Sequence, residues 1–193
     1  MNRTLFFCFS AFALFICACG GKGEYSRMIE EGLASGQRND SIFIGMYFGM
    51  SRKDFFAHCW ELNKDSLIRQ GPGNLSVQYD LEGEFSEAAW MNFYPDFFEE
   101  KIWNMPVQFR YKTWAPWNRR LFNDSLIVRD VIPWAEKKYG KGFRKFEHPE
   151  KPPVWASVDG NRLIYIRKKK DDEQVAEMFI TDLNVKQQID PIE

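Results

Sequence analysis

One pattern limits what this chain can become. A helix-period stripe is followed by three period-two runs, and the pattern then occurs a second time. Ser51 suits an N-cap, and Asp54 three residues on completes a capping-box-like pair. Phe55, Phe56, Cys59, Trp60 and Leu62 then recur at spacings of three and four, which predicts an amphipathic helix. The Gly-Pro-Gly-Asn run from Gly71 to Asn74 stops it. Val77, Tyr79 and Leu81 alternate with polar residues, and Glu82-Gly83-Glu84 turns the chain. Ala89 to Tyr94 is the second run, and Ile102 to Tyr111 the third, with Val107, Phe109 and Tyr111 on one face.

The second round opens at Asn123-Asp124, which caps a helix carrying Ile127, Val131, Trp134 and Ala135 on one face. Lys137 and Lys138 suit its last turn, and Tyr139-Gly140 ends it. Pro133 lies inside and is expected to kink or split the helix. Strands are expected at Val154 to Val158, Arg162 to Arg167 and Val175 to Leu183. An apolar stretch, Ser41 to Phe48, reads as a strand ahead of the first helix. The expected fold is α+β: two tandem α-β-β-β halves, about 41–117 and 118–183, forming an antiparallel sheet with helices packed on one face. Residues 19–40 read as a flexible tether with a helical patch at Tyr25 to Leu33, and residues 184–193 as a frayed tail.

The N-terminus says where such a fold would sit. Met1-Asn2-Arg3-Thr4 is a short basic head, and Leu5 to Ile16 is almost wholly apolar. That run is about a dozen residues, whereas a spanning helix needs about 20. A basic head, a short apolar run and a small residue before a break is the layout of a secretory signal. Ile16-Cys17-Ala18-Cys19 resembles the lipoprotein type of signal. The resemblance selects Cys19, which has an aliphatic residue three places before it and a small one directly before it. It implies diacylglycerol on the Cys19 sulfur, cleavage after residue 18 and a third acyl chain on the new amine. Three chains anchor far more firmly than one. The expectation is an outer-membrane protein, lipid-anchored, facing the periplasm or the cell surface. The chain also resembles uncharacterised lipoproteins of Gram-negative bacteria, a likeness that implies no activity.

A second resemblance rests on Gly49-Met50-Ser51 before the first helix, behind the cysteine. It is to the tandem helix-plus-meander fold of β-lactamase-inhibitor protein and of the small lipoprotein of the barrel-assembly machinery. The Gly-x-Pro that often closes that family's helix is absent here, and the second helix lacks a Gly-Met-Ser.

Composition bounds the partners. Hydrophobic residues make up 45% and charged residues 27% of the 193, which is a globular balance. Losing the signal takes away only Arg3 among charged residues and leaves 25 basic against 27 acidic side chains, a net charge of −2. A near-neutral chain argues against nucleic acid as a partner. Cys8 and Cys17 leave with the signal and Cys19 carries lipid, so Cys59 has no partner for an intramolecular disulfide.

No residue pattern marks an active site. Cys59 and His148 have no supporting spacing, and His58 beside Cys59 projects about 100° away on a helix. Two histidines and one free thiol make a poor zinc set. Asp171-Asp172-Glu173 has no calcium-loop spacing and reads as a solvated turn. Arg167 to Lys170 reads as the polar edge of a strand, with contact to anionic lipid headgroups as the other reading. No nucleotide-binding glycine loop, GxSxG or HExxH is present. No cofactor is expected.

Binding is the function class left. Trp114 and Trp117 flank Pro116, which stiffens the segment, and Lys112, Arg119 and Arg120 surround them. Two readings stand: a partner-binding pair, or a wedge between the halves. Asp-Ser-aliphatic triplets place Ser41, Ser66 and Ser125 in a pattern that resembles an O-glycosylation sequon of some Gram-negative periplasmic proteins, with capping and turn chemistry as the other reading. The expected function is a membrane-anchored, non-enzymatic binding or scaffolding protein with an envelope protein or glycan partner. The alternatives are a surface glycan-binding lipoprotein, and a hydrolase of envelope or dietary glycans using a carboxylate pair that no motif marks.

Overall fold

The computed structural model describes residues 23–113, 126–148 and 151–190. Among them are helices α1 (Glu24–Ala34), α2 (Arg52–Lys64), α3 (Ile132–Tyr139) and α4 (Leu183–Ile189). The strands are β1 (Ile68–Gln70), β2 (Val77–Asp80), β3 (Ala89–Phe93), β4 (Asp96–Phe98) and β5 (Lys101–Tyr111), then β6 (Arg144–His148), β7 (Lys151–Asp159), β8 (Arg162–Lys169) and β9 (Asp172–Asp182). They make one antiparallel sheet in the order β1-β2-β3-β5-β9-β8-β7-β6, with β4 pairing on β5. The fold is α+β with an antiparallel sheet, as the sequence pattern predicts.

Period-two patterning sets the register. Phe93 pairs with Val107, Val107 with Met178, Met178 with Ile166 and Ile166 with Trp155. These side chains form one row across the sheet, because opposed residues share a face. A slip of one residue on any strand would send its apolar set into solvent. The row is the floor of the main core. Its roof is Phe55 from α2, Trp134 and Ala135 from α3, Leu81 and Phe85, and five apolar side chains from residues 42–50.

Residues 41–48, expected as a strand, instead form a turn. Ile44 and Gly45 have φ of 42° and 80°, and Met46 N–H donates to the Phe43 carbonyl at 2.9 Å. Ile42, Phe43, Met46 and Phe48 are all buried from this irregular backbone. A continuous apolar run has no alternation to mark it as a strand, so periodicity is silent here.

The capping box at Ser51 is present. Ser51 Oγ accepts from Asp54 N–H at 3.1 Å and donates to the Asp54 carboxylate at 2.7 Å. The helix it opens is less buried than its stripe suggests. Phe55 is fully buried, but Phe56 and Trp60 are 51% and 64% exposed. Trp60 therefore does not pack α2 on the sheet. The helix also ends at Lys64, before Gly71, and leaves room for β1, whose three residues are too few to show a period.

The helix changes type just before Pro133. A π-helical turn, Leu126–Val131, precedes α3, and the proline falls in the first turn of α3, where its missing N–H goes unmissed. The expected cap, Asn123-Asp124, lies outside the described residues.

Helices cover both faces, not one. Leu163 and Ile164 are neighbours on β8 and so point to opposite faces. Ile164 joins the main core, whereas Leu163 joins a second cluster with Ala156, Met28 and Ile29 of α1 and Leu183 of α4. Part of the expected tether is thus a packed helix. Gly32 allows the close approach, since a Cβ there would lie 2.2 Å from Val158 Cγ1. The strap after α1 is tied down too: Asn39 N–H donates to Asn161 Oδ1 at 2.6 Å, and Asn161 N–H to the Gln37 carbonyl at 3.2 Å. The expected frayed tail begins as α4, capped by the Asp182 carboxylate. The expected helical patch at Tyr25 to Leu33 is α1; its packing on the sheet was not legible, because charged residues surround Met28 and Ile29.

Candidate binding surface

The exposed aromatics of α2 line a groove. It runs between α2 and the β1–β2 edge, has a volume of about 400 Å³, and is walled by Phe56, Cys59, Trp60, Ile68, Val77 and Tyr94. Phe55 forms its base and meets Phe56 and Tyr94 edge-to-face at centroid distances of 5.6 and 5.9 Å. Asn63 Nδ2 donates to the Ile68 carbonyl at 2.8 Å and ties the helix to the strand. β1 ends the sheet, and among the described residues no strand covers its outer side. Apolar side chains beside an open strand edge are a binding arrangement, because a partner can gain burial and backbone hydrogen bonds together.

The polar clusters of the described residues are tied to structure. Cys59 lines the groove, and burial pushes its thiol up to about 11, so it stays protonated at neutral pH. His58 Nε2 lies 2.7 Å from the Ile44 carbonyl and pins the turn at 41–48. The side chain of His148 lies outside the description. Asp130 is buried and accepts from Ser86 N–H at 2.9 Å, from Ser86 Oγ at 2.7 Å and from the Tyr111 hydroxyl. These bonds hold the π-helical turn against the loop before β3.

Glu84 accepts from Trp134 Nε1 and the Tyr79 hydroxyl, each at 2.9 Å, and meets Lys138 Nζ at 3.4 Å. Burial pushes its carboxyl up, but these bonds and the Lys138 ammonium together outweigh burial and hold it below its ordinary value. Among the described residues no group of three or more His, Cys, Asp or Glu side chains could hold a metal ion. Asp172 caps the turn of Asp171-Asp172 and pairs with Arg110. Arg167 to Lys169 belong to β8, which lies inside the sheet between β7 and β9 and not at an edge.

Of the residues singled out in the sequence, Cys19, Trp114, Trp117 and Ser125 lie outside the described residues. Ser41 and Ser66 are exposed, Ser41 in a bridge to Tyr47 and Ser66 at φ 59° just past α2. Neither borders the groove. Phe56 and Trp60 do, and the sequence pattern puts both on the apolar stripe of α2 beside Phe55. The signal that separates them from Phe55 is their position around the helix, which only a known sheet orientation can read.

The second open surface is the part of the α1 and α4 face that those helices leave uncovered, at the β1–β5 end of the sheet. Across β1, β2, β3 and β5 it carries Arg69, Gln78, Asn92 and Gln108 in register. Trp90 lies beside them, with the Arg69 guanidinium and the Lys112 ammonium 4.1 and 4.0 Å from its ring centre. Comparison of the chain with family models, curated proteins and solved structures returned no match.

Proposed function

We propose that this chain is a lipid-anchored protein of the cell envelope that binds or scaffolds a protein partner and carries out no catalysis itself. Cys19 is the lipid-bearing residue in this reading, and the outer membrane is the site, with the folded part facing the periplasm or the cell surface. Support for the anchor comes from the basic head, the short apolar run and the Ile16-Cys17-Ala18-Cys19 ending. No helix among the described residues is long and apolar enough to cross a membrane.

The observation that carries the binding role is the groove between α2 and β1. Phe56 and Trp60 are half or more exposed there, next to a strand edge that is unpaired among the described residues. Large exposed aromatics are poor for solubility and characteristic of interface anchors. The fold reading belongs to the same proposal: two helix-plus-strand halves whose last strands, β5 and β9, pair side by side.

Cross-linking in native membranes tests it. Wild-type protein should capture a discrete partner, and Trp60→Ala should lose that partner while keeping its melting temperature. Cys19→Ala should stay unprocessed or leave the membrane fraction. A Cys19→Ala protein found in the detergent phase at mature size ends the anchor reading, and unchanged capture by Trp60→Ala ends the groove reading.

A further inference from the structure

We propose that the uncovered part of the α1 and α4 face, over β2, β3 and β5, binds an oligosaccharide that carries carboxylates. The site adjoins the α2 groove, with Arg69, Ser76 and Tyr94 on their shared border, and is built from side chains alone.

Hydrogen-bond polarity is the first observation. Arg69 has only donors, so the atom of Gln78 that its Nε meets at 2.8 Å is the amide oxygen. The Gln78 amide nitrogen is then free to donate, and does so to Asn92 Oδ1 at 2.9 Å. That turns the Asn92 amide nitrogen onward. From the other side, the Lys169 ammonium, also donor-only, lies 3.5 Å from Gln108 Oε1 and leaves the Gln108 amide nitrogen over. Asn92 and Gln108 are direct cross-strand partners, with Cβ atoms about 5 Å apart. Two cations, one at each end of the row, thus leave two adjacent amide nitrogens as donors. Neither has a hydrogen-bond acceptor among the described residues. The pair offers two adjacent donors, part-exposed, to an oxygen-rich ligand.

Shape is the second. Asn92 and Gln108 sit in the floor of two adjoining hollows. One, of about 460 Å³, is walled by Gln78, Trp90, Arg110 and Val175. The other, of about 370 Å³, is walled by Leu75, Ser76, Tyr94 and Pro106. Pro72 lines both. A ligand longer than one ring unit fits a furrow of this kind.

Charge is the third. Arg69, Arg110, Lys112, Arg167 and Lys169 share the face with three carboxylates, Asp80, Asp172 and Glu177. Each carboxylate pairs with one cation, and among the described residues Arg69 and Lys169 pair with no carboxylate. The surplus is positive and complements an anionic ligand. A lipid surface fits badly, because three of the cations lie down on rings: Arg69 and Lys112 on Trp90, and Arg167 on the stacked pair of Tyr165 and Phe179. An acidic peptide strand fits badly too, because β2, β3 and β5 already pair on both sides and offer no free backbone edge. With its ring occupied by cations, Trp90 acts as a wall and not as a stacking platform. Recognition is by hydrogen bonds and charge.

Titration of the full-length, detergent-solubilised protein with hexamers of galacturonate and of hyaluronate tests the proposal, with maltohexaose as the neutral control. At least one acidic hexamer should bind, and maltohexaose should not bind at the same concentrations. Asn92→Asp and Gln108→Glu keep size but replace donors with acceptors. Each should weaken binding at least tenfold with the melting temperature unchanged. The double change Asn92→Ala, Gln108→Ala, read beside its own melting curve, serves where a charged variant is destabilised. Trp60→Ala should bind the acidic hexamer like wild type, which separates this site from the groove. Failure of both acidic hexamers to bind, equal binding of maltohexaose, or wild-type affinity in the folded double-alanine variant overturns the proposal.

Discussion

Helices α1 and α2 are of similar length, and their sequences point the wrong way about their roles. The stretch containing α1, Gly-, Ser- and charge-rich, reads as a tether, yet Met28 and Ile29 are 7% and 3% exposed. The stretch containing α2 has five large apolar or sulfur side chains at helical spacing, yet only Phe55 is fully buried. The difference lies in what each helix faces. α1 lies over the long strands β7 and β8, where two residues suffice to seal it against Ala156 and Leu163. α2 stands at the end of the sheet beside a three-residue strand, and half its apolar stripe runs past the edge. Apolar content indicates that a helix can be buried. The extent of the surface opposite it decides how much is.

The sharpest way to break this comparison is Phe55→Ala. It should cost about 3–5 kcal/mol in urea unfolding, as deletion of a buried ring does. A loss under about 1 kcal/mol would mean that α2 is a loosely attached helix. On the other helix, Ile29→Ala should cost about 2–4 kcal/mol. If α1 were only a tether, that change would be silent. Ser51→Ala removes the cap of α2 and should cost about 1 kcal/mol.

A smaller effect is expected from pH. The Glu84 carboxyl is held below its ordinary value of 4.5 in the folded protein. Its contribution is present above that value and is lost as pH falls from there through the lower folded value. Glu84→Gln should therefore flatten the acid limb of the stability curve below about pH 4.5 and change its slope little near neutrality. An unchanged acid limb would show that the bonds from Trp134 and Tyr79 do not favour the ionised form. Smallest of all is Trp60→Ala, which should shift stability by no more than about 0.5 kcal/mol, as exposed substitutions do. A loss of several kcal/mol there would place Trp60 in the core and remove the groove's main anchor.

Much of the sheet was legible because alternation is a local signal. Val107, Phe109 and Tyr111 on β5, and Ala89, Met91 and Phe93 on β3, announce both the strand and its buried face. Ser51 and Asp54 announce a helix start in the same local way. β1 and β4, at three residues each, are too short to carry a period, and β6 has a single apolar residue, Phe146, to alternate; all three owe their existence to the strands they pair with. The furrow on the uncovered part of the α1 and α4 face was not legible, because Arg69, Gln78, Asn92 and Gln108 come from four separate strands. Each looks like the solvent side of its own strand until register brings them into one row.

The sequence by itself determined the α+β class, the antiparallel strands of the sheet centre and the capped start of α2. All of these follow from interactions within a few residues of chain. Tertiary structure alone decided that α1 and α4 cover part of one sheet face, that residues 41–48 turn into the core, and that Phe56 and Trp60 remain in solvent. Those outcomes depend on which surfaces meet, and register between distant strands sets that in this protein: Met91 with Phe109, Phe109 with Ala176, and Leu163 with Val158. Periodicity within a segment states that a face is apolar; only pairing between segments gives that face something to lie against.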